Sequence, residues 1–125
     1  MAEVKFCGLT RVEDATLGAS IGAAYLGAIF AGGPRRRTAA EARALFDAAA
    51  VAGSARRVGV FGSQSVSDIV TIAREAGLEI VQLHAGADSG VVQELRRHFA
   101  GEVWRVLRVR GVARPAELRT ATAGV

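Results

Sequence analysis

Two kinds of hydrophobic pattern alternate along the chain. Short apolar, β-branched-rich runs recur at 3–7, 24–30, 57–61, 79–84 and 102–109. Their near-continuous apolar character predicts strands buried on both faces. Between them, apolar positions return at helical spacing: Val12, Ala15, Thr16 and Ala19, then Ala42, Leu45, Phe46 and Ala49. Val66, Ile69, Val70 and Ala73 make a third such face, and Val92, Leu95 and Phe99 a fourth. Thr10 with Glu13 and Thr38 with Glu41 have capping-box spacing, and Ser65 with Asp68 is a weaker version. Gly22, Gly53, Gly77 and Gly101 each follow a helical pattern and precede a strand, where a left-handed C′ residue is wanted.

Strict strand–helix alternation with short connections predicts an α/β protein with a parallel sheet and helices packed outside it. The second unit is lengthened by the loop Ala31-Gly32-Gly33-Pro34-Arg35-Arg36-Arg37, and Pro115 is placed to open a further helix through Ala116, Leu118 and Ala121. No linker or low-complexity tract interrupts the pattern, so residues 1–125 read as a single domain. Five strands fit two architectures. One is an incomplete TIM (β/α)8 barrel consisting of its first five units; the other is a flavodoxin-like doubly wound sheet. Periodicity does not choose between them.

Composition narrows the function classes. Half of the residues are hydrophobic and 6% aromatic, so the core is aliphatic and alanine-rich. The single cysteine excludes an internal disulfide framework and a cysteine-based zinc site, and fits a reducing cytoplasm. The N-terminus, Met1-Ala2-Glu3-Val4-Lys5, lacks the basic and apolar regions of a signal peptide. The uncharged stretch 15–34 is long enough to cross a bilayer, but its five glycines break it into helix end, turn and buried strand. No membrane span is expected. The net charge of +4 and pI near 10.5 raise the question of nucleic acid. The basic residues, among them Arg105, Arg108 and Arg110, are scattered and no aromatics interleave with them. A solvated surface, or a small anionic substrate met by one or two arginines, is the expectation instead.

The candidate chemistry gathers at Val4-Lys5-Phe6-Cys7-Gly8-Leu9-Thr10, where the first strand breaks into a loop. A thiol at the C-terminal mouth of the first strand stands where α/β proteins usually place reactive groups. His98, among Arg96 and Arg97, reads as surface, and Trp104 as packing within the fifth strand.

Lys5-Phe6-Cys7-Gly8-Leu9-Thr10 resembles the opening of phosphoribosylanthranilate isomerases, and the resemblance continues in order. Glu13-Asp14-Ala15 follows, then Gly22-Ala23-Ala24-Tyr25-Leu26-Gly27-Ala28-Ile29-Phe30 as the family's second strand, and Pro34-Arg35-Arg36-Arg37 where the family carries S-x-R. Val58-Gly59-Val60-Phe61 and Val81-Gln82-Leu83-His84 match V-G-V-F and V-Q-L-H. The departures are Ala24 for the usual aspartate, Ala85 for a glycine, and Gly33-Pro34 for a serine-containing turn.

The resemblance implies a TIM barrel of roughly 200 residues, of which this chain corresponds to the N-terminal part. It implies the Amadori rearrangement of N-(5′-phosphoribosyl)anthranilate to 1-(2-carboxyphenylamino)-1-deoxyribulose 5-phosphate, a cytoplasmic step of tryptophan biosynthesis that uses no metal or organic cofactor. The reaction needs an acid to open the sugar and a base to take the C2′ proton, and a thiol is suited to the second task. Cys7 is thereby assigned as base. Arg36, or Arg35 if the loop is shifted by one, corresponds to the arginine that grips the anthranilate carboxylate, for which a guanidinium fork is suited. Gln82 and His84 would line the mouth.

The family's general-acid aspartate lies at the end of the sixth strand and its phosphate loops follow the last two, so neither has a counterpart here. Asp14 and Asp47 lie in helical patterns and Asp88 before one, and none is assigned as a substitute. A chain of this kind, expected to be truncated, should be inactive alone, and should self-associate or be complemented by a C-terminal barrel portion. The readings set against it are a non-catalytic flavodoxin-like binding module, which would not depend on Cys7, and a fragment of a pentose-phosphate epimerase. The second needs metal-ligating histidines, and only His84 and His98 are available.

Overall fold

A computed structural model describes residues 3–84, 87 and 89–105. The expected strand beyond Arg105, the helix opened by Pro115, and Ala85 and Asp88 lie outside the described residues. Among the described residues nine elements alternate: β1 (Lys5–Phe6), α1 (Val12–Ser20), β2 (Tyr25–Ile29), α2 (Ala39–Ala50), β3 (Arg56–Phe61), α3 (Val66–Ala76), β4 (Ile80–Leu83), α4 (Ser89–His98) and β5 (Glu102–Arg105). The strands pair in parallel in the order β1-β2-β3-β4-β5.

That order decides between the two architectures. A flavodoxin-like sheet reverses direction and runs 2-1-3-4-5, whereas here every strand is added on the same side of its predecessor. The flavodoxin-like alternative, and the binding module built on it, are therefore overturned. The fold is a partial α/β barrel.

The helices occupy one face. Leu26, Ala28, Phe61, Leu83 and Val103 of the sheet are buried with Ala15, Ala42, Leu45, Phe46, Ile69, Ala73, Val92 and Leu95 of the helices in one cluster. Small residues at the contacts let helices sit close to strands and to each other. A Cβ at Gly53 would stand 2.8 Å from the Ala19 carbonyl carbon, so Gly53 is there for close approach rather than for a left-handed turn. Gly77 does close α3 in the left-handed conformation, at φ +70°.

The caps follow the expected chemistry at two of three places. Thr38 and Glu41 form a complete capping box on α2, and the Ser65 hydroxyl accepts from the Asp68 amide on α3. Helix α1 differs: its cap position is Arg11, with no side-chain cap, and Thr10 lies one residue outside. Glu13 instead meets the Arg11 guanidinium at 3.3 Å. A first-turn backbone amide and then Arg11 hold its carboxyl below the usual range.

The other face of the sheet is concave. Lys5 Nζ lies 5.7 Å from the centroid of the Trp104 ring, yet β1 and β5 are four strand spacings apart, roughly 19 Å in a flat sheet. Two side chains cannot bridge that distance unless the sheet curls toward itself. The Lys5 ammonium also donates to Gln82 Oε1 of β4, and Tyr25 of β2 meets Trp104 edge-on at 5.0 Å. Val58 and Ile80 are fully buried beneath these groups. At the N-terminal end, Arg56 bonds Glu102 at 3.0 Å, and Trp104 Nε1 donates to Glu102 at 3.2 Å. A hydrogen bond from the Tyr25 hydroxyl to Glu3 pushes the phenol above its usual range.

Candidate active site

Because every strand is parallel, all strands end on the same rim, and the loops there carry the expected residues. Cys7 follows β1 directly and is an exposed free thiol. Its position is set from two sides. The Leu9 amide donates to the Gly27 carbonyl at 3.2 Å, carrying the β1–β2 pairing past the cysteine. A Cβ at Gly27 would stand 3.2 Å from Cys7 Sγ, so the absence of a side chain there makes room for the thiol on the concave face. Gly8, at φ +74°, then turns the chain away from the strand.

The arginine loop returns to this point. The Arg36 amide donates to Gly33 and the Arg37 amide to the Ile29 carbonyl at 2.9 Å, so the loop folds back beside the end of β2. Of the two candidate arginines, Arg35 is the one that packs against Gly8, the residue after Cys7. A Cβ on Gly8 would lie 2.8 Å from Arg35 Cζ and 3.2 Å from its Nε, so the guanidinium packs against the glycine adjoining Cys7. Arg36, exposed, instead lines a cavity of about 260 Å³ with Phe30, Thr38, Glu41 and Ile72 on the helix side. Arg37 pairs with Glu41 at 3.3 Å. The two-glycine turn sets which arginine reaches Gly8, and the residue order alone carries no signal of it.

Gln82 is half-buried on the concave face, with its carbonyl oxygen held by Lys5. His84 is exposed at the end of β4, and its carbonyl accepts from the Ala87 amide at 3.1 Å. Two contributors went unnoticed in the sequence. Lys5 matters only through a contact across the curl. Gln64 joins the ends of two strands, its amide nitrogen donating to the Phe30 carbonyl and its oxygen accepting from the Gly62 amide, both at 2.7 Å. Among the described residues no three His, Cys, Asp or Glu side chains are grouped to hold a metal.

Beside Cys7 the outer edge is open. A cavity of about 410 Å³ is lined by Phe6, Cys7, Leu9, Asp14, Leu17 and Ile21, among others. Val4, Phe6, Leu17 and Ile21 remain exposed at 50%, 36%, 60% and 64%. No helix among the described residues is long and apolar enough to cross a membrane.

Comparison with known proteins agrees with this geometry. The family model described as N-(5′-phosphoribosyl)anthranilate isomerase matches residues 4–120. The N-(5′-phosphoribosyl)anthranilate isomerase of Bacillus velezensis is 36% identical over 105 residues, which is 84% of this chain and 48% of that protein. The crystal structure of phosphoribosyl anthranilate isomerase from Thermus thermophilus superposes with a TM-score of 0.80 at 35% identity, covering 91% of this chain and 56% of that one. A structure of the isomerase in complex with reduced 1-(o-carboxyphenylamino)-1-deoxyribulose 5-phosphate gives a TM-score of 0.75 at 27% identity, covering 97% and 59%. The chain thus spans about half the length of the curated relatives it matches. Strand order, rim residues and the match over 4–120 converge on one assignment: the chain belongs to the phosphoribosylanthranilate isomerase family.

Proposed function

We propose that this chain supplies the N-terminal side of an isomerase site for N-(5′-phosphoribosyl)anthranilate in tryptophan biosynthesis, as a cytoplasmic, cofactor-independent activity. The observation that carries the reading is the exposed Cys7 thiol at the end of β1, with the Arg35 guanidinium packed against the adjoining Gly8 on the strand-end rim. A related structure holds a reduced form of the aminodeoxyribulose phosphate, which is the class of molecule the site would take.

The chemistry divides accordingly. Ring opening of the aminoaldose gives an iminium whose C2′ proton is acidic, and the Cys7 thiolate removes it, leaving the enamine that tautomerises to the ketose. Arg35 is suited to hold the anthranilate carboxylate beside that thiol, because its planar fork can engage both oxygens. Gln82 and His84 border the same mouth from β4. Arg36, the other candidate, would need a different loop path to reach the mouth. The acid that opens the ring and the loops that hold the phosphate are supplied by a C-terminal barrel portion. Groups that act as a unit lose nearly all catalysis when part is missing, so the 125-residue chain alone should turn over negligibly.

The test is a fluorescence assay of phosphoribosylanthranilate consumption with the purified chain, alone and mixed with a separately expressed C-terminal barrel portion of a relative. Activity in the mixture only, abolished by Cys7→Ser and reduced far more by Arg35→Ala than by Arg36→Ala, is expected. Turnover by the chain alone within a few tenfold of a complete enzyme would refute the division of the site. Activity untouched by Cys7→Ser would refute the base.

A further inference from the structure

We infer that Lys5 is a positioning residue for this site: it holds the Gln82 side chain so that its NH2 group faces the mouth as a hydrogen-bond donor to an oxygen of the bound sugar–anthranilate. The inference rests on the proposed function for the identity of the ligand and on geometry for the orientation.

The ammonium of lysine has donors and no acceptor, so of the two ends of a glutamine amide only the oxygen can face it. Lys5 Nζ does meet Gln82 Oε1. The direction of approach follows from the ladder. Lys5 pairs with Tyr25, and Tyr25 with Arg56, while Gln82 pairs with Val60, further along β3 toward the rim. Lys5 therefore reaches Gln82 from the N-terminal side of the concave face. With the oxygen turned toward that floor, the nitrogen is turned toward the strand ends where Cys7 and His84 lie.

Two further contacts keep the lysine where it is. Its ammonium lies over the Trp104 ring at 5.7 Å, a cation–π arrangement. The ring in turn is fixed by Tyr25 at its edge and by Glu102 at its indole nitrogen. Without Lys5, the two ends of the amide become nearly equivalent in shape, and the donor is presented only part of the time. A donor that must first be turned toward its acceptor adds an ordering cost on binding.

The experiment uses side-chain amide NMR on the full 125-residue chain with Lys5→Met, Lys5→Arg and Gln82→Met, the last to assign the signal. In the unmodified chain the Gln82 NH2 protons should be well separated and slow to exchange. Lys5→Met should move them toward the positions of a free amide, and Lys5→Arg, which restores a cationic donor, should largely return them. On titration of the chain mixed with a C-terminal barrel portion with reduced 1-(o-carboxyphenylamino)-1-deoxyribulose 5-phosphate, the Gln82 amide should shift, and Lys5→Met should weaken binding roughly fivefold, the loss of about one hydrogen bond. An unchanged Gln82 amide in Lys5→Met, with backbone signals of the helices intact, overturns the inference. So does binding that shifts Gly8 while leaving Gln82 still. If the probe does not bind even with the C-terminal barrel portion present, the proposed function loses its support. The Gln82 signals of the ligand-free variants then uphold or overturn the orienting role by themselves.

Discussion

At the scale of the residue, the rim is built by what glycines leave out. Gly27 leaves space for the Cys7 sulfur, and Gly8 both turns the backbone and receives the Arg35 guanidinium. Gly8→Ala would place a Cβ against that guanidinium at a positive φ. The expected cost is about 1–2 kcal/mol for the left-handed backbone alone, read as a lower urea midpoint. The arginine should also be displaced, so in the reconstituted assay KM should rise along with the loss of stability. Stability loss without any change in KM would separate Arg35 from the substrate. The place of Cys7 at the end of β1 was legible in the sequence, because the apolar run stops there. The separate places of Arg35 and Arg36 were not, since they depend on how Gly33 turns the loop before the Arg37 amide reaches Ile29.

At the scale of the element, capping shows where local chemistry suffices. The Thr38–Glu41 box is fully formed, so Thr38→Ala should cost about 1 kcal/mol in thermal or denaturant unfolding. It also carries a pH dependence. The Thr38 backbone amide and hydroxyl hold the Glu41 carboxyl below its ordinary 4.5, with Arg37 assisting. A lowered folded-state value means stability that is present above the unfolded value and lost as pH falls through the folded one. The unmodified chain should therefore lose more Tm than Glu41→Gln on going from about pH 5 to about pH 3; parallel losses would show that the carboxylate contributes nothing at the cap. The box was readable from spacing because it involves neighbours on one turn. Thr10 and Glu13 have the same spacing and do not form one, because the chain leaving β1 through Gly8 brings Arg11 to the cap position instead. The helical faces were legible for α2, α3 and α4, since Leu45, Phe46, Ile69 and Leu95 are buried where the period put them, whereas Val12 of the expected α1 face stays exposed.

At the scale of the whole molecule, the alternation of strands and helices was plain, but the order of strands was not. A helical or strand period reports which way a side chain faces and says nothing about which side of a sheet the next strand joins. Among the described residues the sequential order leaves β1 and β5 as edges, and beside β1 stand Val4, Phe6, Leu17 and Ile21 with their apolar surface exposed. Sheet edges of this kind are templates for further pairing, so the isolated chain should self-associate with rising concentration in sedimentation velocity. Leu17→Lys with Ile21→Lys should reduce that association, and a C-terminal barrel portion should compete with it. A sharp monomer at all concentrations would count against both expectations. The concave face has one more consequence. Trp104 and Tyr25 are the chain's only tryptophan and tyrosine, and they touch because β2 and β5 curl toward one another. The intrinsic ultraviolet emission of this protein is therefore a gauge of its bending: any event that opens or tightens the arc changes tyrosine-to-tryptophan energy transfer, with no label added.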